Sequence, residues 1–243
     1  MIENNQGPLR DEEVARLFRE IMSVCLAQQE PLKIGFLGPE GTFTQQAVYK
    51  HFGHSVRGVP LASIPEVFHE VEVGHTDFGV VPIENSTEGA INRTLDLLLQ
   101  TSLVISGEVA IPVQHSLMSQ HGTMANVTRI CAHSQALAQC QAWLNQHYPH
   151  IERLAVASNA EAARMASADP AVAAIASEIA GHQYQLGIIS AHIQDDPHNR
   201  TRFAVVGRLH TNPSGKDQTS MVLATPNKAG AVYQLLAPLS GHG

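Results

Sequence analysis

Charged residues are scarce in this sequence of 243 residues. Asp, Glu, Lys and Arg make up 15% of it, against roughly 25% in an average protein. The 22 acidic residues outnumber the 15 basic ones, which gives a formal net charge of −7 with histidine neutral. A nucleic-acid-binding surface needs a basic stripe, so this balance argues against a nucleic-acid partner. A site for an anionic ligand must therefore be made by local groups.

Several features that define other classes of protein are also missing. No apolar run approaches the ~18 residues of a membrane span, and the N-terminus lacks the basic and then apolar layout of a signal peptide. We therefore expect a cytoplasmic protein without a membrane partner. The three cysteines form no CxxC motif, and the 14 histidines show neither HxxxH nor HExxH spacing, so we expect no metal or other cofactor. The sequence also has no P-loop, GxGxxG motif or nucleophile elbow.

Three parts of different organisation follow one another along the chain. Residues 9–29 repeat apolar residues at helical spacing, and Pro31 ends this isolated amphipathic helix. Its stripe consists of Val14, Leu17, Phe18, Ile21 and Cys25. The helix either docks on the main domain or belongs to another domain. Residues 32–210 alternate strand and helix signals, which predicts an α/β fold with a largely parallel sheet and two lobes around a cleft. Residues 211–217 form a predicted linker, and residues 218–243 predict one strand, a turn and one helix.

Polar residues stand at four strand–helix junctions, where ligands collect in open α/β sheets. Residues 38–44 (Gly-Pro-Glu-Gly-Thr-Phe-Thr) and 84–89 (Glu-Asn-Ser-Thr-Glu-Gly) each follow a predicted strand. Residues 133–135 (His-Ser-Gln) follow another, and residues 199–203 (Asn-Arg-Thr-Arg-Phe) precede the last strand. These hydroxyl, amide, carboxylate and guanidinium groups suit binding of a small polyoxygenated acid and assistance to a leaving group. They do not suit hydride or phosphoryl transfer.

Each junction also has a simpler interpretation. Thr42 is a good N-cap for the helix that follows it, and Ser86 or Thr87 is suited to the same task. One cap explains one hydroxyl but leaves Glu84 and Asn85 without a role, so a function is favoured at that junction. The third junction leaves capping and ligand binding equally open. The fourth junction by itself is weak evidence for a ligand site, and it indicates one only together with the other three.

Three of these motifs together resemble prephenate dehydratases. They are residues 38–44, residues 82–89 (Pro-Ile-Glu-Asn-Ser-Thr-Glu-Gly) and residues 199–203, in order and with family-like spacing, and the resemblance covers about residues 33–210. It implies a two-lobed fold similar to a periplasmic binding protein. It also implies a reaction of phenylalanine biosynthesis in which prephenate loses water and carbon dioxide to give phenylpyruvate. The implied partners are prephenate and a second copy of the chain in a homodimer.

The resemblance implies roles for individual residues. The predicted catalytic residues are Thr201, Asn85, Gln135 and Glu84. The predicted substrate-binding residues are Arg202, Ser86, Thr87, Thr42 and Phe203. Thr201 acts on the departing hydroxyl group as a donor and relay, and Asn85, Ser86 and Gln135 orient the ring and the hydroxyl. Glu84 is a reserve general acid if burial favours its protonated form. Arg202 clamps one substrate carboxylate, and Thr42 with the N–H groups around it binds the other.

The flanking parts resemble pieces of two other domains. Residues 1–31 end like the last helix of a chorismate mutase domain, and residues 218–243 resemble the opening of an ACT regulatory domain. We therefore predict domains at 1–31, 32–210 and 218–243, the central one with lobes at 32–111 plus 190–210 and at 112–189. The ACT resemblance implies an incomplete site for L-phenylalanine as an allosteric ligand. This site consists of Asn227, Gly230, Ala231 and Leu235.

Two other functions share these features. An arogenate dehydratase performs the same chemistry on a related substrate, and the motifs separate the two activities poorly. A non-catalytic bilobal protein that binds or senses small acids uses the same kind of cleft. Such a binder needs Arg202 but not the adjacent hydroxyl of Thr201, so this dipeptide favours an enzyme.

Overall fold

We describe the protein from a computed structural model that covers residues 5–213, 215 and 217–241. The chain divides into an N-terminal unit, which ends at His210, and a C-terminal unit, which begins at Thr211. None of the helices within these ranges is long and apolar enough to cross a membrane.

The N-terminal unit alternates helices and strands as the sequence predicts. Its helices are α1 (Asp11–Ala27), α2 (Phe43–Phe52), α3 (Ile64–Glu72), α4 (Asn92–Leu98), α5 (Ser134–Gln139), α6 (Gln141–His147), α7 (Asn159–Ala168) and α8 (Glu178–Gln183). Its strands are β1 (Lys33–Leu37), β2 (Arg57–Leu61), β3 (Phe78–Asn85), β4 (Gly89–Ala90), β5 (Val104–Pro112), β6 (Ser116–Ser119), β7 (Arg129–His133), β8 (Glu152–Val156), β9 (Val172–Ala176), β10 (Gly187–Ser190) and β11 (Arg200–Gly207).

The strands form two sheets, one in each lobe. The first has the order β2-β1-β3-β11-β5, with β4 paired to β3, and the second has the order β10-β6-β9-β7-β8. The predicted α/β fold with two lobes is confirmed. The prediction of a largely parallel sheet is wrong, because β11 is antiparallel to β3 and β5, and β6 is antiparallel to β9 and β10. The chain crosses between the lobes before β6 and before β11, so these strands enter their sheets at the edge where the parallel strands end.

Each sheet is covered by apolar side chains on both faces. In β11, Phe203 and Val205 belong to a core cluster with Phe36 and Val48, whereas Ala204 and Val206 belong to a second cluster with Val67 and other residues of α3. Successive residues of a strand point to opposite faces. The first lobe therefore has a core on each side of its sheet, and adjacent residues of β11 face different cores.

Helix α1 docks on the N-terminal unit, but not through its apolar stripe. Leu17, Phe18 and Ile21 are 47%, 40% and 56% exposed, whereas Ser23 is buried. The Ser23 hydroxyl accepts a hydrogen bond from the Ser55 backbone N–H at 3.2 Å. The repeat of apolar residues correctly predicts the helix. The contact with the rest of the unit is made by small and polar side chains, because these allow a close approach to the end of α2.

Two further elements differ from the prediction, and one alternative that the sequence left open is decided. The helix predicted near 135–146 is two helices, α5 and α6, which meet at Cys140. The segment 103–113, for which one or two strands were open, contains the single strand β5. The short strands β6 and β10 are missing from the prediction, because four residues carry too little periodicity to be recognised.

The C-terminal unit contains helix α9 (Ala231–Gly241). The predicted strand after residue 217 is not formed, and residues 218–226 have no regular secondary structure. A strand needs a partner for its N–H and C=O groups. The described residues of this unit supply no second strand, so the apolar residues there remain irregular.

Candidate active site

The ends of several strands meet at one cleft between the lobes. Strands β1 and β3 are parallel and end at the edge of the first sheet at which β11 begins. In the second lobe β7, β8 and β9 are parallel and end at a common edge. A cavity of about 140 Å³ lies between the two edges. Its lining includes Thr42, Phe43, His133, Ser158, Asn159 and Ser177.

Thr201 and Asn85 form the central polar pair of the first lobe. They are direct partners in the β3–β11 ladder, although 116 positions separate them in the sequence. Asn85 is 5% exposed, and its Nδ2 donates to Thr201 Oγ1 at 2.9 Å. Opposite residues of an antiparallel pair lie on the same face of the sheet. The ladder therefore brings together two predicted catalytic residues.

The hydrogen bonds of Asn85 fix the orientation of its amide. Its Oδ1 accepts from the backbone N–H groups of Thr87 and Glu88, at 3.0 and 3.1 Å. The amide nitrogen must therefore face Thr201, whose Oγ1 is the acceptor. In this arrangement the proton of the Thr201 hydroxyl is left for another acceptor. The pair presents one oriented hydroxyl donor.

Arg202 lies on the opposite face of β11 and is already engaged. Its Nη1 donates to Glu84 Oε2 at 2.6 Å, and its Nε and Nη2 donate to Glu108 Oε1 and Oε2 at 2.6 and 2.8 Å. These contacts do not support the prediction that Arg202 clamps a substrate carboxylate. They likewise give Glu84 the task of an acceptor for Arg202 rather than that of a general acid. No local sequence pattern reveals this network, because Arg202, Glu84 and Glu108 lie on three different strands.

Two other predicted residues, Phe203 and Ser86, have structural tasks, and a third, Thr87, lies at the surface. Phe203 is 2% exposed and packs in the core cluster with Phe36, so it supports the sheet instead of facing a ligand. The Ser86 hydroxyl donates to Asn199 Oδ1 at 3.1 Å and accepts from the Arg200 backbone N–H at 3.0 Å. Thr87 is exposed. Ser86 thus ties the end of β3 to the start of β11.

Thr42 lies at the start of α2 and lines the cavity. Its Oγ1 accepts from the Gln45 backbone N–H at 3.4 Å, which confirms the simpler interpretation of Thr42 as an N-cap. The preceding loop touches the second lobe, because Ser177 Oγ donates to the Gly41 carbonyl at 2.8 Å. At Gly41 φ is +83°, and a Cβ atom there would lie 3.1 Å from Ala180 Cβ. Only glycine allows this approach of the lobes without strain.

The second lobe supplies amide and hydroxyl groups to the same cleft. Asn159 lines the cavity, and its Oδ1 accepts from the His133 backbone N–H at 2.8 Å. Gln135 is half-buried near the start of α5 and is not among the residues that line this cavity. The first turn of α7 also lines the cavity, with Ser158 as its N-cap. Helix N-termini carry unpaired N–H groups and favour anions. The cleft can therefore hold an acid in spite of the negative net charge.

A buried polar group that no sequence pattern predicts lies where the chain first crosses between the lobes. His115 is 2% exposed, and its Nε2 lies 2.9 Å from Gln139 Oε1. Its Nδ1, Gln139 Nε2 and Ser116 Oγ have no hydrogen-bond partner among the described residues. Burial lowers the pKa of His115, and the bond to Gln139 acts in the opposite direction. The ring of Phe43 contacts His115 with 5.6 Å between centroids, so this group lies next to the start of α2.

The remaining predicted residues belong to the C-terminal unit. Asn227 and Gly230 are exposed, Ala231 is 6% exposed and Leu235 is half-buried. Across the described parts of both units, no group of three or more His, Cys, Asp or Glu side chains is placed to hold a metal ion.

The comparisons with known proteins agree with this geometry. The family model described as prephenate dehydratase matches residues 34–211. The bifunctional chorismate mutase/prephenate dehydratase of Pseudomonas aeruginosa is 51% identical over 240 residues, which cover 98% of this chain and 66% of the relative. This chain thus spans about two thirds of the length of such curated relatives.

Two solved structures have the same fold. The prephenate dehydratase of Arthrobacter aurescens, in complex with L-Phe, superposes with a TM-score of 0.75 and 29% identity over 86% of this chain and 72% of that one. The prephenate dehydratase of Staphylococcus aureus has a TM-score of 0.68 and 26% identity over 87% and 81% of the two chains. The motif residues, the two-lobed cleft and the family match lead to one conclusion: the chain belongs to the prephenate dehydratase family.

Proposed function

We propose that this chain converts prephenate to phenylpyruvate, with loss of water and carbon dioxide. The observation that carries the proposal is the Thr201–Asn85 pair at the end of β3 and the start of β11, in which Thr201 Oγ1 accepts from Asn85 and keeps its own proton to donate. A protein that only binds small acids has no need of such a donor. The family match over residues 34–211 supports the same activity.

The chemistry requires help for a departing hydroxyl group. The C–C bond to the ring carboxylate breaks and releases carbon dioxide, and its electron pair completes the aromatic ring as the C–O bond breaks. The departing oxygen takes up one proton and leaves as water. Thr201 donates a hydrogen bond to this oxygen and relays the proton from solvent. Donation from Asn85 to Thr201 Oγ1 polarises the hydroxyl and strengthens its donor character.

The two carboxylates of prephenate need positive groups. The free N–H groups at the starts of α2 and α7 are suited to bind one of them, because Thr42 and Ser158 line the same cavity. Gln135 is the side chain of the second lobe that we propose to orient the ring.

The decisive experiment is an incubation of the purified chain with prephenate and, separately, with arogenate. We expect phenylpyruvate from prephenate, followed by its absorbance in alkali. Phenylalanine formed faster from arogenate would make the protein an arogenate dehydratase. Binding of prephenate by calorimetry without turnover would make it a sensor of small acids, and the enzymatic proposal would fail.

We further propose functions for the flanking parts. The two-thirds coverage of bifunctional relatives supports residues 1–31 as the last helix of a chorismate mutase domain. The L-Phe complex of the Arthrobacter aurescens enzyme supports a role for residues 227–235 in binding phenylalanine as a regulator.

The exposed apolar side chains of α1 support association into a homodimer. Sedimentation velocity and titration with L-phenylalanine test these two interactions.

A further inference from the structure

A bulge separates the active-site end of the β3–β11 ladder from the rest of the sheet. Arg202 pairs with Glu84, but Phe203 pairs with Pro82, so Ile83 is an extra residue in β3. Proline has no N–H group and cannot donate to a ladder, and a bulge disrupts the ladder locally. Only two residue pairs then join β3 to β11 on the side of the active site.

Arg202 links three strands on that side of the bulge. It binds Glu84 on β3, which is its direct ladder partner, and forms a fork with Glu108 on β5, which lies diagonally across. Single exposed ion pairs contribute little, but a two-pronged arginine–carboxylate fork within a network holds its geometry better. Its hydrogen bonds hold the pKa of the Glu108 carboxyl below its ordinary value. We call the side chains of Arg202, Glu84 and Glu108 the strand clip.

The strand clip cannot touch a ligand that contacts Thr201 on its own face of the sheet. Thr201 and Arg202 are successive residues of β11, so their side chains point to opposite faces. The Thr201–Asn85 pair is the other residue pair beyond the bulge. Whatever fixes the spacing of β3 and β11 at Arg202 also fixes the 2.9 Å contact between Asn85 Nδ2 and Thr201 Oγ1.

We propose that Glu108 and Arg202 are positioning residues for the reaction, which act by holding Thr201 on Asn85 across the bulge. This inference rests on the proposed dehydratase function. It replaces the role of Arg202 as a carboxylate clamp. It also assigns a role to Glu108, which has no place in the sequence motifs.

The test is the substitution Glu108→Gln, which keeps the shape and removes the charge. We expect kcat with prephenate to fall about fivefold, the size of effect that a networked pair supports, with KM changed less than twofold. The matched control is Glu13→Gln on α1. The Glu13 side chain is 35% exposed and pairs with Arg10, against 34% for Glu108 and its pair with Arg202. This control should leave both constants unchanged.

A double variant that combines Glu108→Gln with Thr201→Ala distinguishes a positioning role of the clip from a merely structural one. If the clip acts through Thr201, Glu108→Gln should cost nothing further in kcat once Thr201→Ala is present. Equal effects of Glu108→Gln in both backgrounds would overturn the proposal. A change in KM with unchanged kcat would also overturn it, because Arg202 would then bind the substrate itself.

A readout without substrate separates this inference from the proposed function. The Ser86 amide donates to the Arg200 carbonyl at 2.9 Å, next to the clip. Hydrogen exchange at Ser86 and Arg200 should accelerate at least threefold in Glu108→Gln and not in Glu13→Gln. Unchanged exchange would refute the clip even in an active enzyme. Accelerated exchange in a chain without prephenate turnover would refute only the dehydratase function.

Discussion

Asn85 Nδ2 donates to Thr201 Oγ1 across two neighbouring strands, and Asn85 Oδ1 holds two backbone N–H groups of its own turn. The asparagine therefore cannot reverse its amide without breaking that turn. The Thr201 hydroxyl accepts from this amide and keeps its own proton to donate elsewhere. This relation makes the threonine a directed donor, because the Asn85 amide occupies one side of Oγ1 and the proton is left for another acceptor.

Removal of the Thr201 hydroxyl should lower turnover and leave substrate binding largely intact. An interaction that is stronger in the transition state lowers kcat and not KM. Thr201→Ala should cost about a hundredfold or more in kcat, and Thr201→Ser should keep part of the rate with a freer rotamer. Thr201→Val keeps the shape without the hydroxyl. Steady-state kinetics compare this variant with wild type. If Thr201→Val is as active as wild type, Thr201 is only a packing residue.

The substitution Asn85→Asp should stop Thr201 from donating to the substrate. A carboxylate has no N–H group, so Thr201 would donate its own proton to residue 85. The acceptor for Thr87 and Glu88 remains, and we expect a loss of at least tenfold in kcat with little change in melting temperature. Asn85→Ala is the comparison, since it loses the turn as well and should melt earlier. Wild-type kcat in Asn85→Asp would disprove the directed-donor arrangement.

The stability of the protein should fall as the pH decreases below the ordinary histidine pKa of 6.5. Burial lowers the pKa of His51 and of His115 in the folded protein. Between the ordinary and the lowered pKa values the unfolded chain binds more protons, so decreasing pH favours unfolding. Melting temperatures between pH 8 and 5 should fall less steeply in His115→Gln than in wild type. Parallel curves would show that His115 makes no contribution.

Gly53→Ala should weaken the attachment of α1. At Gly53 φ is +83°, and a Cβ atom would lie 2.7 Å from Ser23 Cβ. Gly89 has a similar φ of +85° with no atom within 4 Å, so Gly89→Ala carries only the backbone cost of about 1 kcal/mol. We expect a larger loss of stability for Gly53→Ala than for Gly89→Ala. Trypsin should also cleave Gly53→Ala faster at Arg16 and Arg19, and equal cleavage in both variants would contradict the close contact.

Local patterns in the sequence specify the helices and strands and the side-chain chemistry available to them. Apolar periodicity and capping residues fix helices such as α3, where Ser63 accepts from the Glu66 backbone N–H at 3.4 Å as the capping box predicts. The same local rules identify the polar junctions, because strand ends and helix starts are punctuated by Gly, Ser, Thr and Asn. They also identify the motif residues Asn85 and Thr201 as candidates before any contact between them is known.

Packing of the whole chain selects which of these residues meet and which already have a partner. Thr201 and Arg202 are adjacent in sequence, yet the strand sends one to Asn85 and the other to Glu108. The partner of Arg202 lies 94 positions away, and no local pattern encodes that distance. The exposure of the α1 stripe and the missing strand in the C-terminal unit have the same origin. A periodic pattern specifies which face of an element is apolar, but only the packing of the whole chain supplies a surface to cover it.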